Sequence, residues 1–288
     1  MDLDVIQKKL ESIESLPTLP AIAMEVNRML MDYETPLEEL TALLKNDQSI
    51  VPRILKLVNS AFFGFRSKVG SISHAIVLLG YNMVRNAIVS LTVIDSLSLK
   101  KQFEGFDVVQ FWEHAAAVAV TSKHLADMSR IEAREDAFTA GLLHDIGKLI
   151  QAQYFASYFR KVWGYVREDQ LPYFEAEKMA RVIDHCHMGA VLARKWRLPD
   201  RLVEVIRRHH TAPVKMRDNE LATTVFLANA IVNMYMPFSA SFLRRQDKRY
   251  ILQSLPAAMW ETFRTSKTWF AELQGDIEAA CKFFIAGE

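Results

Sequence analysis

Residues 141–150 read GLLHDIGKLI, an apolar run interrupted by an adjacent His144–Asp145 pair. Burying an unpaired charge is costly, so such a pair needs a partner, a proton or a metal. Which of these it has decides what the surrounding helices are built to hold.

The chain around it has 288 residues, 50% hydrophobic and 24% charged, with only 10 Gly and 9 Pro. That is the composition of a globular protein richer in helix formers than in turn residues, with length for one large domain or two smaller ones. Its 35 basic and 34 acidic side chains leave a formal charge of +1, so there is no electrostatic signature of a nucleic-acid partner or a membrane surface. Cys186 and Cys281 form no CxxC and read as two reduced thiols of a cytoplasmic protein. The N-terminus, MDLDVIQKKLES, lacks a signal peptide's apolar stretch. Leu221 to Leu243 carries no charge, yet its threonines, asparagines and Pro237 mark a buried core helix, not a bilayer span.

Helix periodicity dominates, with no convincing alternating run, and predicts an all-α protein of two helical subdomains. The polar stretch KKQFEGFD (100–107) is the best boundary. It divides an N-terminal subdomain (1–105) from a helical bundle (106–237), followed by a helical extension (238–288). Thr35-Pro36-Leu37-Glu38 reads as a helix start, with an N-cap, a first-turn proline and a capping box. Gly80 separates two helices. Beyond the boundary, helices are predicted at 108–128, 135–149, 152–168, 173–195, 200–210 and 219–236, with Asp200 as a cap.

Seven of the eight histidines fall between 114 and 210. Leu202, Ile206 and His209 follow one helical line, and Val203, Ile206 and His210 its neighbour, so both histidines lie on or beside an apolar face. His114 opens the run AAAVAV, His185 precedes Gly189-Ala190 by four residues, and His144 shares a line with Ala137 and Gly141. A single buried histidine is most often a hydrogen-bonded core residue. Five histidines with a buried carboxylate, on facing helices, are instead a common way to converge ligands on a borderline metal. His187, about 200° from His185 on a helix, is set aside with His124 and His74.

FWEH (111–114), AGLLHDIGK (140–148), DHCHMGAVL (184–192) and VIRRHH (205–210) resemble the HD superfamily of metal-dependent phosphohydrolases. SLPTLP (15–20), KNDQSIVPRILKLVNSAFFGF (45–65) and SISHAIVLLGYNMVRNAIV (71–89) narrow the resemblance to the HDOD family of bacterial signalling proteins. It runs from about Ser15 to about Asn233. By position, the resemblance implies metal ligands at His114, His144 and Asp145, joined by His185, His209 and His210 in versions with more than one metal. Active HD enzymes end the set with an aspartate in a segment resembling LADxxD. Here the segment reads LANAIVN (227–233), with Asn229 in that place. The HDOD family commonly shows this departure and is regarded as an output module without established hydrolysis. The GYP stretch of the related HD-GYP phosphodiesterases is also absent, since the chain continues HHTAPVKMRD (209–218).

Asn229 removes a negative charge and leaves an amide oxygen, a weak ligand for hard cations. The neighbouring position, with Asp145, His185, His209 and His210, is rich in nitrogen and suits Fe, Zn or Ni better; the expected cofactor is a divalent transition metal, Fe, Zn, Ni or Mn. One metal is therefore expected more readily than two, and a hydroxide bridging two metals is what such hydrolases use as nucleophile. Lys148, three residues after Asp145, reads either as a phosphate contact beside the metal or as a helix C-terminal cation complementing the dipole. In the N-terminal half, Asn59 followed by Phe62 and Phe63 could form a partner-binding loop, though clustered aromatics are more often core. Trp112 and Trp196 read as core.

The expected function is a non-catalytic signalling module that binds a protein partner in trans, tuned by a metal or by a nucleotide or small anion. The alternative is a metal-dependent phosphohydrolase or phosphodiesterase acting on a cyclic or linear nucleotide, with His144, Asp145 and Lys148 as its catalytic candidates.

Overall fold

Helix is the only regular structure among the described residues of the computed structural model, which are 24–26, 28–29, 36, 38–39, 42–43, 50–59, 68–97, 106–211, 219–235 and 268–286. The all-α expectation holds for them. The capping box at 35–38 and the polar boundary at 100–105 lie largely or wholly outside these residues.

α1 (Ile50–Val58) is followed by Asn59, whose amide nitrogen donates to the carbonyls of Leu55 (2.7 Å) and Val69 (2.8 Å). Its side-chain oxygen accepts the Val69 backbone N–H at 2.7 Å. α2 (Ile72–Ser96) kinks at Gly80, where φ 81 and ψ 165 require a residue without Cβ. Two hydrophobic cores meet along α2. Ile72, Ile76, Val84 and Ile88 pack with Val26, Met29, Ile54 and Val58. Val93, Ile94 and Leu97 join the larger core.

That larger core is organised by α3 (Val108–Ser129), which Asp107 caps by accepting from the N–H groups of Val109 and Gln110. Its small residues from Ala115 to Ser122 are all buried, so neighbours can approach closely from several sides. A 3-10 turn (Arg134–Asp136) leads to α4 (Ala137–Leu143), α5 (Ile146–Tyr154) and α6 (Ala156–Glu168). α7 (Tyr173–Ala180), α8 (His185–Lys195), α9 (Asp200–Arg208) and α10 (Glu220–Tyr235) follow. α10 occupies the uncharged stretch that begins at Leu221, with Leu221, Val225, Ala228 and Val232 buried. No helix among the described residues is long and apolar enough to cross a membrane.

Two predicted helices are each broken in two. The expected 135–149 helix stops at Leu143, and Asp145 (φ −102, ψ 6) stands outside helical geometry before α5 begins. The expected 173–195 helix ends at Ala180, capped by Arg181 in the left-handed region (φ 52), and α8 starts afresh at His185. Asp200 is the first residue of α9, not its cap; Pro199 holds that position.

α11 (Trp269–Ala286) lies against α3 through Trp269, Leu273, Ile277 and Ala280. His124 of α3 pairs with Asp276 of α11 at 2.8 Å, and the Cys281 thiol donates to the Glu113 carbonyl. Part of the segment after 237 thus completes the main core.

Asp136 forms a polar node between elements. Its carboxylate, 1% exposed, pairs with Arg85 of α2 at 3.1 Å and with Arg201 of α9. It also accepts from the Asn86 amide at 2.9 Å. A buried carboxylate with this many donors is compensated, not stranded.

Candidate metal centre

Consecutive residues of a helix point about 100° apart, so His144 and Asp145 could not share a target within one continuous helix. The break between α4 and α5 removes that restriction and brings His144 Nε2 to 3.2 Å from Asp145 Oδ2. Glycines hold this corner against its neighbours. A Cβ on Gly141 would stand 2.7 Å from the Ala119 Cα of α3, and one on Gly147 would collide with the His185 carbonyl at the start of α8.

Asp145 divides its two oxygens between two groups of donors. Oδ2 faces His144, His114 Nε2 (3.7 Å) and the Lys148 ammonium (2.6 Å). Oδ1 faces His185 Nε2 (3.1 Å) and His209 Nε2 (3.3 Å). His185 and His209 approach each other at 3.1 Å between the same ring nitrogens. Ligand atoms of His114, His144 and Asp145 therefore cluster on one side, and those of His185, Cys186, His209 and His210 on the other.

The opposite edge of each central imidazole is tied down. His144 Nδ1 bonds the Gly141 carbonyl (2.7 Å), and His209 Nδ1 the Ile206 carbonyl (2.9 Å). His185 Nδ1 bonds Glu177 Oε2 at 2.7 Å. Anchoring one ring nitrogen orients the other and sets its tautomer, the usual support of a metal-ligating histidine. Glu177 is fully buried, and its other oxygen accepts the His185 backbone N–H (2.7 Å) and the Gln151 amide (2.6 Å). Gln151 in turn accepts from the Tyr173 hydroxyl at 2.6 Å. His210 stacks on Phe174, with centroids 4.5 Å apart.

Neutral imidazoles and a carboxylate are the donors that borderline divalent metals take. The polar atoms point to such a group, because His210 Nε2 is buried without a hydrogen-bond partner and the His144, His185 and His209 ring nitrogens crowd one buried carboxylate. The residues fit a divalent metal.

Their protonation follows from the same crowding. Burial first, then His144, pushes His114 down to about 3. Burial, then His209 and His185, holds His210 well below the usual histidine range. Burial also opposes charge on His209, but Cys186 and Asp145 outweigh it and raise His209 to about 9. For Cys186, burial raises the thiol, yet His185 and His209 bring it down to about 7. Burial likewise works against a charged Asp145, but His144 and Lys148 hold it well below the carboxylate range.

A pH profile follows for metal-free protein. His114 has a folded value below the unfolded 6.5. Its contribution is present above 6.5 and lost as pH falls toward 3, at about 1.4 kcal/mol per pH unit. His209 has the opposite sign: its contribution is full below 6.5 and lost as pH rises toward 9. Cys186, held near 7 against an unfolded 9, gains over that same interval and offsets the His209 loss, so the test lies on the acid side. Denaturant unfolding should find stability falling as pH drops from 6.5 toward about 4.5, and a flat profile there would contradict it.

All six implied ligands from His114 to His210 come together in this cluster. Asn229 of α10 is 6% exposed and lies beside His114, while its side-chain oxygen accepts from Asn233 at 2.9 Å. Lys148 sits in the first turn of α5, where a cation opposes the helix dipole, so the C-terminal dipole reading fails; its partner is Asp145. His187 turns outward to Asp184, His124 pairs with Asp276, and His74 is exposed. Trp112 and Trp196 are buried. The Asn59 amide is spent within the chain, and Phe62 and Phe63 lie outside the described residues. Sequence reasoning missed Glu177, hidden in the surface-like EAEK (175–178), and Cys186, read as inert.

Comparison with known proteins locates the chain. The HDOD domain model matches residues 16–212. A Treponema pallidum (strain Nichols) protein of uncharacterised function is 27% identical over 227 residues, which is 77% of this chain but 43% of that protein. The chain thus spans less than half the length of that relative. The crystal structure of an HDOD domain protein of unknown function from Geobacter sulfurreducens superposes with a TM-score of 0.78 at 24% identity, covering 98% of this chain and 96% of that one. A Shewanella amazonensis SB2B structure described as a candidate phosphohydrolase gives 0.67 at 24% identity, covering 95% and 93%. A Marinobacter aquaeolei VT8 structure, described as a candidate signal transduction protein, gives 0.71 at 19%, covering 97% and 60%. At these identities the structural likenesses establish the fold alone. With the family model matched across two thirds of its length, this chain belongs to the HDOD domain family.

Proposed function

We propose that the chain is a cytoplasmic signal-transduction module that binds a protein partner in trans and keeps an HD-type metal site without hydrolytic turnover. The observation that carries this reading is Asn229 beside His114, on the side of the cluster where Asp145 Oδ2 is already paired with Lys148. A cation bound there would meet two imidazoles, an ammonium and an amide instead of a second carboxylate. Two-metal hydrolysis needs both positions filled, and this one is poor. The site is also closed: Asp145, His144, His185 and His209 are all 1% exposed or less. Closed donor sets are typical of structural sites, whereas catalytic ones keep an open position.

The metal, when bound, supplies a Lewis-acid centre. The chain's own part is to orient three imidazoles through Gly141, Glu177 and Ile206, to exclude water, and to hold Asp145 ionised. A nucleotide or small anion reaching the rim would meet Lys148, whose side chain is 18% exposed. That same lysine and the retained ligands favour the second reading, a phosphohydrolase or phosphodiesterase acting on a nucleotide. Metal analysis of untagged protein, with phosphodiester hydrolysis measured in Mn, Fe and Ni, separates the two. Robust turnover that disappears in Asp145→Ala would overturn the non-catalytic reading.

Asn229→Asp supplies the missing charged oxygen, which hard cations depend on. Mn²⁺ affinity at this position should rise by about tenfold or more, measured by calorimetric titration. An unchanged Mn²⁺ affinity would acquit Asn229 as the weak point.

A further inference from the structure

We propose that Cys186 is a metal ligand, so that the better position of the centre is a thiolate-containing site for zinc or another thiophilic divalent ion. The proposal rests on the metal reading above and goes beyond it in the chemistry of the donor set. Nothing in the HD-type pattern of histidines and aspartates calls for sulfur there.

The geometry carries it. Cys186 Sγ lies 3.6 Å from His185 Nε2 and 3.9 Å from His209 Nε2. The two nitrogens are 3.1 Å apart, and Asp145 Oδ1 stands 3.1 and 3.3 Å from them. Around a tetrahedral zinc with ordinary bond lengths, neighbouring nitrogens are separated by about 3.3 Å and a sulfur and a nitrogen by about 3.6 Å. The sulfur and the two nitrogens therefore already stand near three corners of one coordination shell, with Asp145 Oδ1 beside both nitrogens. His210 Nε2 is a separate sign of a metal-directed cluster, since it is buried without a hydrogen-bond partner. His210, whose ligand atom belongs to the same cluster, is available as a further donor.

A cysteine placed only for packing would turn its sulfur to aliphatic neighbours, as buried thiols do. Here it faces the metal-directed nitrogens of two imidazoles anchored from behind. Binding forms one metal–sulfur bond and breaks the S–H bond; the proton leaves to solvent, and nothing is oxidised. A thiolate favours zinc, ferrous iron and cobalt over magnesium and manganese.

The test uses the full chain carrying Cys281→Ser, so that Cys186 is the sole thiol, loaded with Co²⁺. The expected result is a sulfur-to-cobalt charge-transfer band in the near ultraviolet together with intense tetrahedral bands in the visible. Cys186→Ser and Cys186→Ala, checked for fold by circular dichroism, should lose the near-ultraviolet band, and Zn²⁺ affinity should fall at least about tenfold while Mn²⁺ affinity holds. Cobalt binding with no charge-transfer band, and unchanged zinc affinity in both variants, would overturn thiolate ligation and leave the metal site standing. No Co²⁺ or Zn²⁺ uptake by the parent chain would overturn both. If both variants unfold, the band in the parent chain alone decides.

Discussion

Asp145→Ala should weaken metal uptake by about 100-fold or more while leaving a folded chain. Among the described residues its carboxylate is the one that faces both donor groups, Oδ1 toward His185 and His209 and Oδ2 toward His144 and His114. Losing a partner that merely orients a ligand already costs 10–100-fold in affinity, so losing the bridge itself should cost about 100-fold or more. Free metal at about 100 times its Kd stabilises a protein by about 2.7 kcal/mol, and the same concentration would give the variant about 0.4 kcal/mol or less. Elemental analysis and the metal-induced shift in melting temperature read both. Lys148 does not become a stranded buried charge, because its partly exposed side chain can turn to water. A variant with full metal content and an undiminished shift would show that the metal sits elsewhere.

Gly147→Ala should be the most damaging glycine-to-alanine change among the described residues. Its new methyl would collide with the His185 carbonyl oxygen, 2.7 Å from the carbonyl carbon and 2.8 Å from the Gly189 nitrogen. All three obstacles are backbone, so no rotamer change relieves them and α5 must move away from α8. Overpacking costs about 1–3 kcal/mol where side chains can yield, and about 3 kcal/mol or more is expected where they cannot. The displacement would also draw His185 off Asp145, so metal affinity should fall with stability. Gly164→Ala in α6 is the contrast: its Cβ meets nothing within 4 Å, and it should stabilise by about 0.5–1 kcal/mol. Equal melting temperatures for the two variants would refute the close approach of α5 and α8.

How far the sequence spoke depended on which property carried the information. Residue type and helical spacing were enough to gather His114, His144, Asp145, His185, His209 and His210, because buried imidazoles on apolar faces are unusual. The two breaks were not legible. Apolar periodicity runs on through Leu142, Leu143 and Ile146, and through Ala176 and Ala180 toward Met188, so nothing in the pattern marks a corner. Gly147 was the available signal, since a glycine on a buried helical face speaks of close backbone approach. Glu177 escaped because its neighbours Glu175 and Lys178 are surface residues that pair with each other. Cys186 escaped because isolated cysteines are usually inert, and only the orientation of its sulfur says otherwise.

The Asp136 node ties three helices together mechanically. Arg85 belongs to α2, which spans both cores, and Arg201 to α9, which ends beside His209. Asp136 itself begins the short helix that ends at His144. A push on the N-terminal half, transmitted along α2, would thus be applied to the roots of two histidine-bearing helices at once. The same linkage runs backward: an ion that draws His144 and His209 together would load α2. The carboxylate is one joint shared by the N-terminal half and the roots of the two helices that carry His144 and His209.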